Sequence, residues 1–98
     1  MVHILVQCKV RDLPRWKESF DLLFAARQRA GEMGCRLFHD GDHAGELVIL
    51  FDWESKKDAR AFFESEQWAS EMRKAGIVES PRVVYLEDVR ALHLSPAD

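Results

Sequence analysis

The sequence predicts an α+β protein whose one sheet is covered by helices on one face and by a second copy of the chain on the other. Three observations predict it. The central strands, Leu47-Val48-Ile49-Leu50-Phe51 and Val83-Val84-Tyr85-Leu86, are apolar on both parities, whereas a strand with one wet face alternates. The patterns run strand, helix, strand, strand, helix, strand, which is the split-βαβ arrangement of ferredoxin-like folds. A chain of 98 residues makes a single domain, with helices for one sheet face and nothing left for the other. A homodimer through the open face is the expectation.

The first strand is expected over about Val2–Val10. Its one parity, Ile4, Val6, Cys8 and Val10, is wholly apolar, and the other, His3, Leu5, Gln7 and Lys9, is half polar. Asp12 is set to cap a helix with Pro14 in its first turn, where the missing amide costs nothing. Leu13, Trp16, Phe20, Leu23, Phe24, Arg27 and Ala30 keep helical spacing, and Gly31 can end the helix in the left-handed conformation. Cys35–His39 reads as a short second strand, Asp40–Gly45 as turn chemistry, and Glu46–Trp53 as the third strand. Ser55 and Ser65 are placed to cap two further helices, carrying Ala59, Phe62 and Phe63 and then Trp68, Ala69 and Met72, with Gly76 closing the second. A fourth strand follows Pro81 over about Arg82–Leu92, and Ser95–Asp98 reads as a mobile tail. The usual sheet order for this pattern is 4-1-3-2. It separates Cys8 from Cys35, so two free thiols are expected.

Composition bounds the function. The 47% hydrophobic and 32% charged shares suit a globular domain rather than a disordered one. Fourteen Lys and Arg against 17 Asp and Glu leave a charge of −3, which disfavours a nucleic-acid partner. No apolar run approaches the ~20 residues of a membrane span. No leader pattern signals secretion, so a cytoplasmic location is expected. No Gly-rich phosphate loop and no triad context appears.

The segment Val48-Ile49-Leu50-Phe51-Asp52-Trp53-Glu54-Ser55-Lys56-Lys57-Asp58-Ala59, continued by Phe62-Phe63-Glu64-Ser65-Glu66-Gln67-Trp68, resembles the antibiotic-biosynthesis-monooxygenase type of dimeric α+β barrel protein. The shared layout is a strand ending in Trp-Glu-Ser, a helix, then Ser with an aromatic three residues on. The resemblance covers residues 2–90. It implies a sheet–helix cavity and, among its members, cofactor-free oxygenases of quinol-type substrates, haem-degrading enzymes, isomerases and proteins without known activity. The haem-degrading pattern of Asn, Trp and His meets Gln7, Phe62 and Met72 here, so haem degradation is not implied.

Apolarity alone turns Ile4, Val6 and Cys8 toward the helices. The resemblance turns Gln7 there instead, and that orientation is adopted as the expectation. Gln7 is then a catalytic candidate, because an amide both donates and accepts beside a reacting centre. His39 is the second, because an imidazole titrates near neutral pH. Leu5, Phe62, Phe63, Trp68 and Met72 are expected to line a cavity for a flat apolar ligand, with Arg36 available to an anionic oxygen. The other strand arginines, Arg82 and Arg90, read as rim or ion-pair residues, and His93 receives no role. His39, Asp40, Asp42 and His43 are ligand types, but a tight turn seldom points four side chains at one centre, so no metal is expected. The resulting expectation is a cofactor-independent monooxygenase acting on an aromatic or polyketide-like substrate. A non-catalytic binding or assembly module and a cyclase or isomerase are the alternatives.

Overall fold

The computed structural model describes residues 2–89. Its elements follow in the order β1 (Val2–Lys9), α1 (Leu13–Leu22), α2 (Phe24–Ala30), β2 (Glu32–Asp40), β3 (His43–Trp53), α3 (Lys56–Phe63), α4 (Glu66–Lys74) and β4 (Arg82–Glu87). The strands form one antiparallel sheet in the order β2-β3-β1-β4, the expected order read from the other edge. The part of the expected fourth strand at residues 90–92, Arg90, His93 and the tail from Ser95 lie outside the described residues.

The caps act where the sequence put them. Asp12 accepts from the Arg15 amide at 3.2 Å, Ser55 from Asp58 at 3.1 Å and Ser65 from Trp68 at 3.2 Å. The long first helix is in fact two. At Leu23 (φ −87°, ψ 0°) the chain tightens, and the Leu23 amide turns back to the Phe20 carbonyl at 3.2 Å. Arg27 Nη1 also donates to that carbonyl, and its guanidinium stacks 3.8 Å above the Phe20 ring. The break therefore brings α2 inward with its arginine buried. Gly31 then closes α2 at φ 118°, where a Cβ would lie 3.0 Å from Trp53 Nε1.

The second and third strands are longer than expected. A two-residue turn, Gly41-Asp42, joins Asp40 paired with His43, because Asp40 Oδ1 accepts from the Asp42 amide at 2.8 Å. Gly45 is bound to its identity. It sits at φ 89°, and a Cβ there would lie 2.8 Å from the Val10 carbonyl oxygen, which accepts nothing from it but faces it closely.

All helices pack on one sheet face. Ile4, Val6, Cys8, Leu47, Ile49, Phe51 and Trp53 point into that layer and are buried with Trp16, Phe20, Phe62, Phe63, Trp68 and Met72. Gln7 and Leu5 have the opposite parity, so the orientation taken from the resemblance is reversed. Gln7 is exposed and Leu5 half-buried on the open face. The physical reason is burial: the Ile4-Val6-Cys8 parity places three apolar side chains in the core, where an amide would need a partner. Across the open face, the registers set Phe38, Val48, Gln7 and Arg82 in one row and Arg36, Leu50, Leu5 and Val84 in the next.

Candidate functional site

The helix-side interior offers little room where the aromatic residues meet. Phe62 and Trp68 have ring centroids 5.8 Å apart, and Phe63 and Trp68 meet edge to face at 4.9 Å and 81°. Ser65 fixes this corner, accepting from the Trp68 amide while donating to the Phe62 carbonyl at 2.6 Å. Phe62 and Met72 are packed within the core, and Phe62 also borders an open groove with Arg29, Asp58 and Gln67.

Phe63 and Trp68 have a second aspect. After Gly76 the chain crosses back to the sheet, held by Val78 N–H donating to the Lys9 carbonyl at 3.0 Å. Between α4, this crossing and β4 lies an open groove of about 430 Å³, lined by Phe63, Trp68, Arg73, Val78, Ser80 and Val83 with their neighbours. Arg73 donates to Glu66 at 2.6 Å, but both side chains are largely exposed. Such a pair is worth ~0–1 kcal/mol, so the guanidinium can turn to a bound anion. Two residues along β4, on the same parity as Val83, burial pushes the Tyr85 phenol above its ordinary pKa. Glu64 adds to the rise and the Arg60 guanidinium, 4.5 Å over the ring, opposes it. Arg73, Ser80 and Tyr85 escaped the sequence reading because their positions look like solvated helix end, loop and strand edge. Only the fold brings Arg73 and Ser80 beside the aromatic pair.

The other candidates lie elsewhere. Gln7 lines a cavity of about 310 Å³ on the open face with Lys9, Glu46, Glu79 and Arg82. Its carbonyl oxygen accepts from Arg82 at 3.5 Å, and Lys9 pairs with Glu46 and Glu79 at 3.5 and 3.8 Å. Arg36 reaches back over the Phe38 ring at 5.1 Å on the same face. His39 is on the helix-side parity at the β2 edge, opposite Leu47. The two catalytic candidates, Gln7 and His39, therefore open on opposite faces of the sheet. Neither they nor Leu5 and Arg36 line the groove.

In the hairpin, Asp40, His43 and Glu46 bring their ligand-type atoms within 4.8 Å of one another, without His39 or Asp42. Both Asp40 oxygens are already engaged. Oδ1 takes the Asp42 amide and Oδ2 takes His43 Nδ1 at 3.1 Å, contacts that hold the carboxyl below its ordinary pKa. His3 is likewise committed, with Nδ1 at 2.6 Å from Asp52 and Nε2 at 3.3 Å from Asp88. Cys8 and Cys35 are free, as expected. No helix among the described residues is long and apolar enough to cross a membrane.

No family model matches the chain, and no curated protein does. Solved structures do. An antibiotic biosynthesis monooxygenase is 18% identical with a TM-score of 0.67, over 92% of this chain and 100% of that one. SnoaB, a cofactor-independent oxygenase from Streptomyces nogalater, is 14% identical with a TM-score of 0.72, over 93% and 95%. Rv0793 from Mycobacterium tuberculosis is 16% identical with a TM-score of 0.60, over 94% and 98%. These likenesses show a shared fold along nearly the whole chain.

Proposed function

We propose that the protein is a small cofactor-independent monooxygenase-type enzyme acting on an aromatic or polyketide-like molecule, with the α4–β4 groove as its substrate site. The observation that carries this reading is a groove on the helix side of the sheet, lined by the buried Phe63 and Trp68 and the exposed Arg73, on a fold shared with SnoaB. A flat substrate would lie in the groove against the edges of Phe63 and Trp68, and Arg73 would stabilise the phenolate or enolate that forms when the substrate loses a proton. That electron-rich anion passes electrons to dioxygen. One oxygen atom enters the substrate, and the other leaves as water with the hydrogens the substrate gives up. Gln7 and His39 have no part in this version of the site.

The open sheet face is proposed as the homodimer surface. Phe38, Val48, Leu50, Leu5 and Val84 form a continuous apolar band across all four strands. The face also carries both signs of charge, in Arg36 and Arg82 and in Asp52 and Asp88. A two-fold pairing needs such self-complementarity.

A non-catalytic binding module is the second reading. The groove's side chains include an arginine, a glutamate and a serine but no imidazole, which leaves the Glu79 carboxylate as the groove's proton acceptor for the first step. Oxygen uptake with a panel of hydroquinones and anthrones separates the readings. Consumption above the uncatalysed rate, lost in Arg73→Ala, supports the oxygenase. Substrate conversion without oxygen uptake indicates a cyclase or isomerase. Ligand-dependent shifts of the Trp68 indole signal without turnover indicate the binding module.

A further inference from the structure

The open sheet face carries a charge pattern that restricts how a second copy can lie on it. Its two apolar rows are bounded by two charged ones, Glu46 and Lys9 at one end and Asp52 and His3 at the other. Each charged row sets an acid on β3 beside a base on β1. Lys9 Nζ lies 3.5 Å from Glu46, and His3 Nδ1 lies 2.6 Å from Asp52.

Two sheets that stack with their strands aligned can be related by a two-fold axis across the strands or along them. An axis across the strands sets like charges together wherever it falls within the apolar band. Through the Leu5 row it faces Arg36 with itself, and through the Gln7 row it faces Arg82 with itself. Midway between, it sets Asp52 against Glu46. An axis along the strands and directly over β1 faces Lys9 with itself, and one over β3 faces Asp52 with itself. Only an axis between β1 and β3 gives every charge an unlike or apolar neighbour, and like charges across an interface are costly.

We propose that the second copy lies with the two-fold axis along the strands between β1 and β3, so that each β1 faces the other copy's β3. This rests on the homodimer reading and adds its orientation. Leu5 then meets the partner's Leu50 at the centre, while Lys9 meets the partner's Glu46 and His3 the partner's Asp52 at the two ends. Phe38, 43% exposed in the single chain, meets the partner's Arg82 across the edge, a cation over a ring. The cavity of about 310 Å³ beside Arg82 is thereby closed by the partner's Phe38. Arg36 has its guanidinium over its own Phe38 ring at 5.1 Å, so only its stem faces the partner's Val84.

The test measures dimer dissociation of the full chain by sedimentation equilibrium at low salt, where charge contacts are least screened. The unmodified chain is expected to be a dimer. Glu46→Lys makes the end row wholly positive and Lys9→Glu makes it wholly negative, so each variant alone is expected to dimerise about tenfold more weakly. Mixed in equal amounts, the two are expected to prefer each other, with heterodimer in native mass spectra well above random pairing and an affinity within about threefold of the unmodified chain. Carbodiimide coupling of a mixture of light and isotope-labelled unmodified chains needs no substitution and decides the matter if either variant fails to fold. Lys9–Glu46 links joining a light chain to a labelled one are expected. A monomer at every concentration overturns both the homodimer and this orientation. A dimer indifferent to both substitutions, random pairing in the mixture, or links confined within single chains overturns the orientation and leaves the open-face dimer standing.

Discussion

Arg27 and Glu32 form an ion pair at 2.7 Å whose two side chains are only 2% and 4% exposed. It joins the end of α2 to the start of β2, one residue beyond the left-handed Gly31. The same guanidinium holds the Phe20 carbonyl at the helix break, so three local structures share one cation. Removing one partner strands a buried charge. Glu32→Ala is expected to cost about 3–5 kcal/mol, read as a fall in the urea midpoint. Arg27→Met with Glu32→Leu is expected to cost less than either single change, because no buried charge remains.

Trp68 and Gln7 separate the two sides of the sheet. Trp68→Ala empties the Phe62–Phe63 corner and is expected to cost about 3–5 kcal/mol, so its effect on activity would be hard to read. Arg73→Ala is the cleaner probe, with stability within about 0.5 kcal/mol of the parent and ligand anions bound more weakly. Gln7→Ala, on the open face, is expected to change neither stability by more than about 0.5 kcal/mol nor any reaction in the groove. Melting curves and oxygen uptake on the three variants check this.

Val84→Asp and Leu50→Asp place a charge in the middle of the open face without touching the helix-side core. The unmodified chain is expected to run as a dimer by light scattering coupled to size exclusion. Each variant is expected to run as a folded monomer or to lose its fold. A monodisperse folded monomer from the unmodified chain removes the dimer from the reading.

Burial pushes the Cys8 thiol up from 9.0 to about 11. The folded state therefore holds the proton more tightly than the unfolded chain. The contribution to stability is fully present below pH 9 and is lost as pH rises toward about 11. It amounts to about 1–2 kcal/mol after allowance for residual solvent. The stability difference between the parent and Cys8→Ala, measured by denaturant titration, is expected to narrow across that interval. Iodoacetamide near neutral pH is expected to label exposed Cys35 before Cys8.

The sequence made the element order, the sheet order and the caps at Asp12, Ser55 and Ser65 legible, because each is decided by local chemistry. It also marked Phe63 and Trp68 as an aromatic surface. It did not reveal the break at Leu23, since both halves keep one apolar stripe and the deciding contact, Arg27 to the Phe20 carbonyl, spans seven residues. The orientation of Gln7 was readable from apolarity on β1, and the resemblance pointed the wrong way. Arg73 and Ser80 as groove residues depend on which elements become neighbours. No periodicity within one element carries that information.

The outer edge of β2 will govern how the protein behaves in concentrated stocks. It is a nine-residue strand with one side of its ladder unpaired within the chain, and Met33, Leu37 and Phe38 stand 62%, 44% and 43% exposed along it. An extended segment of another molecule can add there and go on adding, since nothing at such a contact closes the assembly. A lysine at position 37 would be the economical guard against slow precipitation on storage.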